Sequence, residues 1–274
     1  MIAAARALCI LRRAMQLVDI GANLTHAAFQ PDLHEVIERA RAAGVAAMIV
    51  TGTTVEDARR ALALADAHPG ALYATAGIHP HHARDFGPAA IPALRELARH
   101  PRLVAIGECG LDFNRNYSPH PDQEKCFAAQ AALAREIGKP LFLHCREAFP
   151  LFIRVLKAAK PPKGVAHCFT GTREELEACL DLDLYIGITG WICDERRGRE
   201  LVQISRDIPA ERLLVETDAP YLVPRDLRPQ PKARRNEPAC LPHVLRALAR
   251  ARGEAPEDLA RVTTENAKRL FGIA

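Results

Sequence analysis

The chain has 274 residues, 49% of them hydrophobic, and a formal net charge of +4. That is ample apolar material for a large core, at a length ordinary for one α/β barrel; the charge is too mild to specify a partner. No apolar run reaches the roughly 18 residues of a membrane span, and the eight cysteines, with no CxxC pair, read as reduced intracellular thiols rather than a disulfide frame.

Residues 1–16 read as an N-terminal extension. They are Ala- and Leu-rich with Arg6, Arg12 and Arg13, and fit an upstream start or a frayed helix better than a cleavable leader. The domain then occupies 17–274. Leu17–Ala22 is a short apolar strand opening into Asn23. A helix over 31–44 follows on the spacing of Leu33, Val36, Ile37 and Ala40, with Gly44 as its stop. Strand two is predicted over 46–51, a helix over 56–67, and strand three over 72–78, ending at His79-Pro80-His81. A helix over 89–99 leads to the most informative stretch, Val104-Ala105-Ile106-Gly107-Glu108-Cys109-Gly110-Leu111-Asp112. Its unbroken apolar start is the pattern of a parallel strand covered on both faces.

The alternation continues with a helix over 122–138, strand five over 141–144, a helix over 149–159 and strand six over 165–167. It goes on with a helix over 173–180, strand seven over 184–188, a helix over 201–205 and strand eight over 213–218. Helical segments over 241–250, 256–261 and 265–271 close the chain. Eight strands alternating with helices predict a (β/α)8 TIM-type barrel, and no GxGxxG follows any strand to favour an open doubly wound sheet.

Barrel chemistry collects at the carboxyl ends of the strands. Those ends carry Glu108 on strand four, His144 on five, His167 on six and Asp218 on eight. Two imidazoles and two carboxylates meeting at one rim make a divalent metal site, and a carboxylate ending a buried strand is costly without such compensation. Because side chains alternate along a strand, Cys109, Cys145 and Cys168 should then face the helices as small apolar groups. His79 and His81 offer two readings, as imidazoles that steady a substrate or as rings on a rigid loop.

After strand eight, residues 224–235 carry Arg225, Arg228, Lys232, Arg234 and Arg235 against the single acid Asp226. Prolines keep this segment out of a helix. It reads either as a guanidinium track for phosphates or as a solvated loop with Arg235 paired to a carboxylate. Trp191 and Phe29, just past strand ends, could stack on a base or pack in the core.

The motifs Gly77-Ile78-His79-Pro80-His81, Ile106-Gly107-Glu108-Cys109-Gly110-Leu111-Asp112, Phe142-Leu143-His144-Cys145-Arg146, His167-Cys168-Phe169-Thr170-Gly171, Glu216-Thr217-Asp218-Ala219-Pro220-Tyr221 and Arg235-Asn236-Glu237-Pro238 together resemble the TatD family of metal-dependent deoxyribonucleases, over 17–274. The resemblance implies a cytoplasmic, monomeric, magnesium-dependent 3′–5′ exonuclease on single-stranded DNA or RNA, with a part in DNA repair; Zn2+ and Mn2+ are the alternative ions. Carried over, Glu108, His144 and His167 match metal ligands, and Asp218 matches an aspartate that binds metal or activates water.

For phosphodiester hydrolysis Asp218, Glu108 and His79 are then the candidate catalytic groups. Asn23, His81, Arg225, Arg234 and Arg235 are the candidate substrate contacts. One departure stands out. The family's first strand usually carries an H-x-H pair, and here those positions are Gly21 and Asn23. Two other readings stand beside it: the same metal barrel acting on a small amide, ester, lactone or aminoacyl-tRNA ester, since fold does not fix function, and, suggested by Gly21 and Asn23, a nucleic-acid binder whose site has decayed.

Overall fold

The computed structural model describes residues 15–161, 163–231 and 233–274, so the N-terminal extension expected at 1–16 lies, up to residue 14, outside the described residues. The eight strands are β1 (Leu17–Ala22), β2 (Val45–Val50), β3 (Leu72–Ala76), β4 (Leu103–Asp112), β5 (Leu141–Arg146), β6 (Gly164–Ala166), β7 (Tyr185–Ile188) and β8 (Leu213–Val215). Each pairs in parallel with the next. Between and after them come α1 (Leu33–Ala42), α2 (Val55–Ala67), α3 (Ala90–Leu97), α4 (His120–Ile137), α5 (Phe149–Ala159), α6 (Arg173–Leu180), α7 (Arg199–Ile204), α8 (Leu241–Arg252) and α9 (Pro256–Phe271). This is the expected (β/α)8 barrel.

Two apolar layers follow from the parallel strands being buried on both faces. Inside the barrel pack Val18, Ile20, Ala47, Ile49, Val104, Phe142, Val165, Tyr185 and Leu214. Ala267, Leu270, Phe271 and Ile273 join that cluster. They come from the end of the chain, where Asn266 donates to the carbonyls of Ala210 and Leu213 and Thr264 to that of Gln16. α9 therefore plugs the amino-terminal mouth and leaves the carboxyl-terminal mouth open. The second, larger layer lies between strands and helices.

Two corrections concern element bounds. Segments 256–261 and 265–271 form one continuous α9, because no Gly or Pro interrupts them and the buried Thr263 hydroxyl bonds back to the Leu259 carbonyl. Strands six and eight stop at Ala166 and Val215, so His167 and Asp218 stand just beyond the ladder, where the backbone is no longer held straight.

The seam between β1 and β8 is joined by an isolated Ala22–Ala219 bridge, by Asp218 N donating to the Gly21 carbonyl (2.9 Å), and by one side chain, Asp19. Asp19 accepts from Thr217 N at 2.9 Å and shares a 2.5 Å hydrogen bond with the Thr217 hydroxyl. It is fully buried, and burial pushes its carboxyl up to about 7, with the Thr217 hydrogen bonds opposing only in part. The sign of the pH effect follows. An unfolded aspartate loses its proton near pH 4, whereas the folded one keeps it to about pH 7, so the contribution is full below the unfolded value and is lost as pH rises through the folded one.

Asp19→Asn keeps donor and acceptor but cannot ionise. Urea denaturation should show the native chain losing on the order of 3 kcal/mol of this contribution between about pH 5 and pH 8, and the variant losing little of it. Equal slopes in the two proteins would remove Asp19 from this role.

Candidate metal centre and active-site cleft

The open mouth is a cleft of about 880 Å³ lined by, among others, Asn23, His79, Glu108, Asp112, His144, His167 and Asp218. Glu108 is its centre. The chain must pass very close to β5 on both sides of it, since a Cβ at Gly107 would stand 2.2 Å from the Phe142 carbonyl oxygen and one at Gly110 1.9 Å from that of His144. Both residues have φ above +140°, a conformation left to glycine. The Gly-Glu-Cys-Gly pattern thus turns the Glu108 carboxylate into the mouth.

Three imidazoles converge on one oxygen of that carboxylate. Glu108 Oε1 stands 3.2 Å from His79 Nε2, 3.0 Å from His144 Nδ1 and 2.9 Å from His167 Nε2. The donor atoms of His79, Glu108 and His144 all lie within 4.8 Å of one another. His167 is fixed from behind by Glu216 at 3.3 Å through Nδ1, and Glu216 also accepts Cys168 N at 2.6 Å. Asp218 has φ 53° and accepts the Asn23 amide on Oδ1 at 3.0 Å. His81 Nε2 pairs with Asp112 at 2.7 Å, and Asp112 also accepts the backbone N–H groups of Asn114 and Arg115.

The electrostatics call for a cation. Glu108, Asp112 and Asp218 line the mouth, with Glu216 fully buried behind His167, and Glu108 and Asp112 are nearly fully buried as well. Burial alone would raise Glu108, but His79 and His167 reverse this and hold it well below the usual carboxylate range. Burial opposes charge on His167, yet Glu108 and Glu216 outweigh it and hold that imidazole well above its ordinary value. Protons on imidazole thus supply compensation that a divalent ion would supply instead. Burial pushes His79 down to about 4, with the Glu108 carboxylate opposing only in part. Burial pushes Asp218 up to about 7, with Glu108 and Glu216 adding to the rise.

One further observation tests the fit. His144 Nε2 is buried with no hydrogen-bond partner among the described residues, standing 3.4 Å from Asp112 without bonding to it. An orphaned imidazole nitrogen among carboxylates and imidazoles is a metal-type donor set. The residues fit a divalent ion.

Of the residues singled out in the sequence, the structure brings Glu108, His144, His167 and Asp218 to one rim and adds His79 to the tightest group. Asn23, His79 and His81 line the cleft. Arg225, Arg234 and Arg235 do not. Arg235 is a structural clamp, its guanidinium bonding Asp32 through both nitrogens at 2.7 Å and Glu237 at 2.7 Å, above the Phe29 ring. Arg225 stands 3.7 Å from Asp194 and Glu195. Arg234 is exposed.

The arginines that do line the cleft are Arg115, Arg146 and Arg197. Phe29 is wholly buried and unavailable to a base, whereas Trp191 lines the cleft under the Arg197 guanidinium, 4.4 Å away. Cys109 faces the helical layer as expected, while Cys145 packs against that layer and also reaches the cleft wall. Cys168 does not face that layer: with φ 46° beyond the end of β6 it escapes the alternation, lines the cleft and meets the Thr189 hydroxyl at 3.6 Å.

Sequence reasoning assigned no role to Asp112 or Glu216. Asp112 had a signal, since it lies four residues from Glu108 within β4 and so shares its face; Glu216, beyond the end of β8, had none of that kind. Tyr221, 51% exposed at the mouth, was missed as well.

Residues 18–272 match the family described as TatD related DNase. The chain is 56% identical over 259 residues to the 3'-5' ssDNA/RNA exonuclease TatD of Pantoea ananatis (strain LMG 20103), covering 94% of this chain and 100% of that protein. Among solved structures, a TatD family hydrolase from Entamoeba histolytica superposes with a TM-score of 0.86 at 26% identity, covering 95% of this chain and 99% of the other. YJJV, a TatD homolog from Escherichia coli K12, gives 0.85 at 28% identity, covering 95% and 100%.

Proposed function

The chain belongs to the TatD-related DNase family, and on that premise we propose that it is a metal-dependent 3′–5′ exonuclease on single-stranded DNA or RNA. The observation that carries this reading is the convergence of His79, His144 and His167 on one Glu108 oxygen, beside Asp218, in a cleft open at the barrel mouth. Glu108, His79 and His144, with His167 and Asp218 at their side, would hold the ion. An ion held by these residues would supply polarisation of a non-bridging phosphate oxygen and a lowered pKa of bound water. The family likeness and the phosphate of the substrate favour Mg2+, whereas the three imidazoles suit Zn2+ or Mn2+; we assign Mg2+ on the family likeness, with those two ions as the alternatives.

The rest is done by the chain itself. Asn23 orients Asp218 by holding Oδ1, which leaves Oδ2 to take the proton of an attacking water. Glu216 holds the His167 ring from Nδ1 and so fixes which nitrogen faces the substrate. His81, steadied by Asp112, positions phosphate at the rim. Trp191 and Tyr221 offer ring faces on which unpaired bases stack, a mode open to single strands. The seven described cysteines are free thiols, which fits the cytoplasm, and no described helix is long and apolar enough to cross a membrane.

End-labelled single-stranded and duplex DNA and RNA, digested with Mg2+, Zn2+ or EDTA, test the proposal. Expected are mononucleotides released from 3′ ends of single strands and complete loss of release in EDTA. Hydrolysis indifferent to EDTA, or confined to small esters, would sink it.

Phosphate contacts are assigned to Arg115 and Arg146 rather than to the segment after β8. Either substitution by alanine should weaken binding at all sequences and reduce the salt slope by about 0.7 for single strands. Arg235→Ala should instead leave that slope unchanged and cost about 1–2 kcal/mol of stability, through loss of the clamp to Asp32 and Glu237. Salt-dependent affinity and melting curves on the three variants separate the two roles.

A further inference from the structure

A second group of metal-type side chains lies outside the cleft. Cys193 ends the 3-10 turn Gly190–Cys193 that follows β7, Asp226 sits in the basic segment after β8, and His243 is in the first turn of α8. Their sulfur, carboxylate and imidazole donor atoms all lie within 4.8 Å of one another, and none of the three residues lines the catalytic cleft. A hydrogen-bonded pair of His243 Nε2 and Asp226 Oδ1, 2.6 Å apart, accounts for two of them. The Cys193 thiol meets the same Asp226 carboxylate from a different element, so three metal-type donors share one point.

We propose that Cys193, Asp226 and His243 form a zinc site that fastens the segment after β8 to α8 and to the turn behind β7. The donors decide the metal: thiolate and imidazole suit Zn2+, whereas Mg2+ takes oxygen ligands. Zinc bonds of about 2.0–2.3 Å at tetrahedral angles put donor atoms roughly 3.5 Å apart. The group reaches that spacing by modest rotation of Asp226 and His243, whose side chains are 41% and 25% exposed and admit an ion from solvent. Cys193, at 7% exposed, supplies the fixed point.

Charge balances, since one thiolate and one carboxylate neutralise the ion. Binding breaks the Cys193 S–H bond and the Nε2–H···Oδ1 bond of His243 and Asp226, forms the Zn–S, Zn–N and Zn–O bonds, releases the thiol proton to solvent and leaves the imidazole proton on Nδ1; water takes the fourth position. Arg250 stands 3.7 Å from the other Asp226 oxygen, Oδ2, and leaves Oδ1 to the metal.

Cobalt substitution tests this, because a thiolate ligand gives Co2+ a near-ultraviolet charge-transfer band that a site of carboxylates and imidazoles does not. The full-length protein, stripped with EDTA and reloaded with Co2+, should show the band. Cys193→Ser should abolish it and lower tightly held zinc by one equivalent, while Glu108→Ala should keep it. If Cys193→Ser fails to fold, Asp226→Asn leaves the buried thiol in place and should weaken zinc affinity at least tenfold. The proposal is overturned by absence of the band in the folded protein, by its survival in Cys193→Ser, by its loss in Cys168→Ser, or by unchanged affinity in Asp226→Asn. None of these outcomes bears on nuclease activity, which Glu108→Ala reads separately.

Discussion

Glu108→Ala should leave a folded barrel with at least a 10³-fold loss of magnesium-dependent hydrolysis of single-stranded DNA. The expectation rests on position. One oxygen of this carboxylate lies within 3.2 Å of three imidazole nitrogens, so its removal leaves His79, His144 and His167 facing a gap with nothing to organise them. A divalent ion at such a centre contributes several kcal/mol of transition-state stabilisation, and about 4 kcal/mol corresponds to roughly a thousandfold in rate. Glu108→Gln separates shape from charge. It fills the same space but offers a neutral amide, so it should bind the ion poorly and recover little activity, with raised Mg2+ shifting the titration without restoring the maximum. Circular dichroism and a melt confirm the fold, and end-labelled digestion reads the rate. Hydrolysis within tenfold of the native chain in either variant would remove the metal from this site.

The barrel was legible because parallel strands buried on both faces read as apolar runs, whatever the rest of the sequence does. β1, α5 and α6 start and stop where composition says they should. β8 was harder, for Glu216-Thr217-Asp218 reads as its continuation although pairing ends at Val215. The strand-end ligands were legible for the same reason as the strands, since each sits where an apolar run meets a polar residue.

Approach between distant segments was not legible. No spacing shows that His79 reaches the Glu108 oxygen, or that the Arg235 fork is taken by Asp32, some 203 residues away in the chain. A dense run of arginines gives charge but no direction. The cleft's own arginines, at 115, 146 and 197, are scattered singly through the chain and carry no local signal.

Gly21→His supplies the imidazole that the family pattern carries at this position, and simple analogy expects a better metal site from it. The structure predicts the reverse. A Cβ at Gly21 would stand 2.4 Å from Glu216 Oε2 and 3.0 Å from Phe142 Cζ, and one at Gly187 would stand 2.5 Å from Glu216 Oε1. The Glu216 carboxylate is thus packed between two glycines and occupies the room a histidine would need. Any side chain at 21 must evict it, and with it the contact to His167 Nδ1 and the bond from Cys168 N. Overpacking in a close-packed interior costs about 1–3 kcal/mol, and stranding a buried carboxylate adds to that. A fall in melting temperature of roughly 6–10 °C is expected, together with lower activity. Gly21→His/Glu216→Ala removes the obstructing carboxylate and should regain about half of the lost stability, because the two residues contend for one space and their effects cannot add. A Gly21→His protein that melts like the native chain and holds an additional metal equivalent would show that Glu216 yields the space freely, and that its place beside Gly21 does not exclude a first-strand histidine.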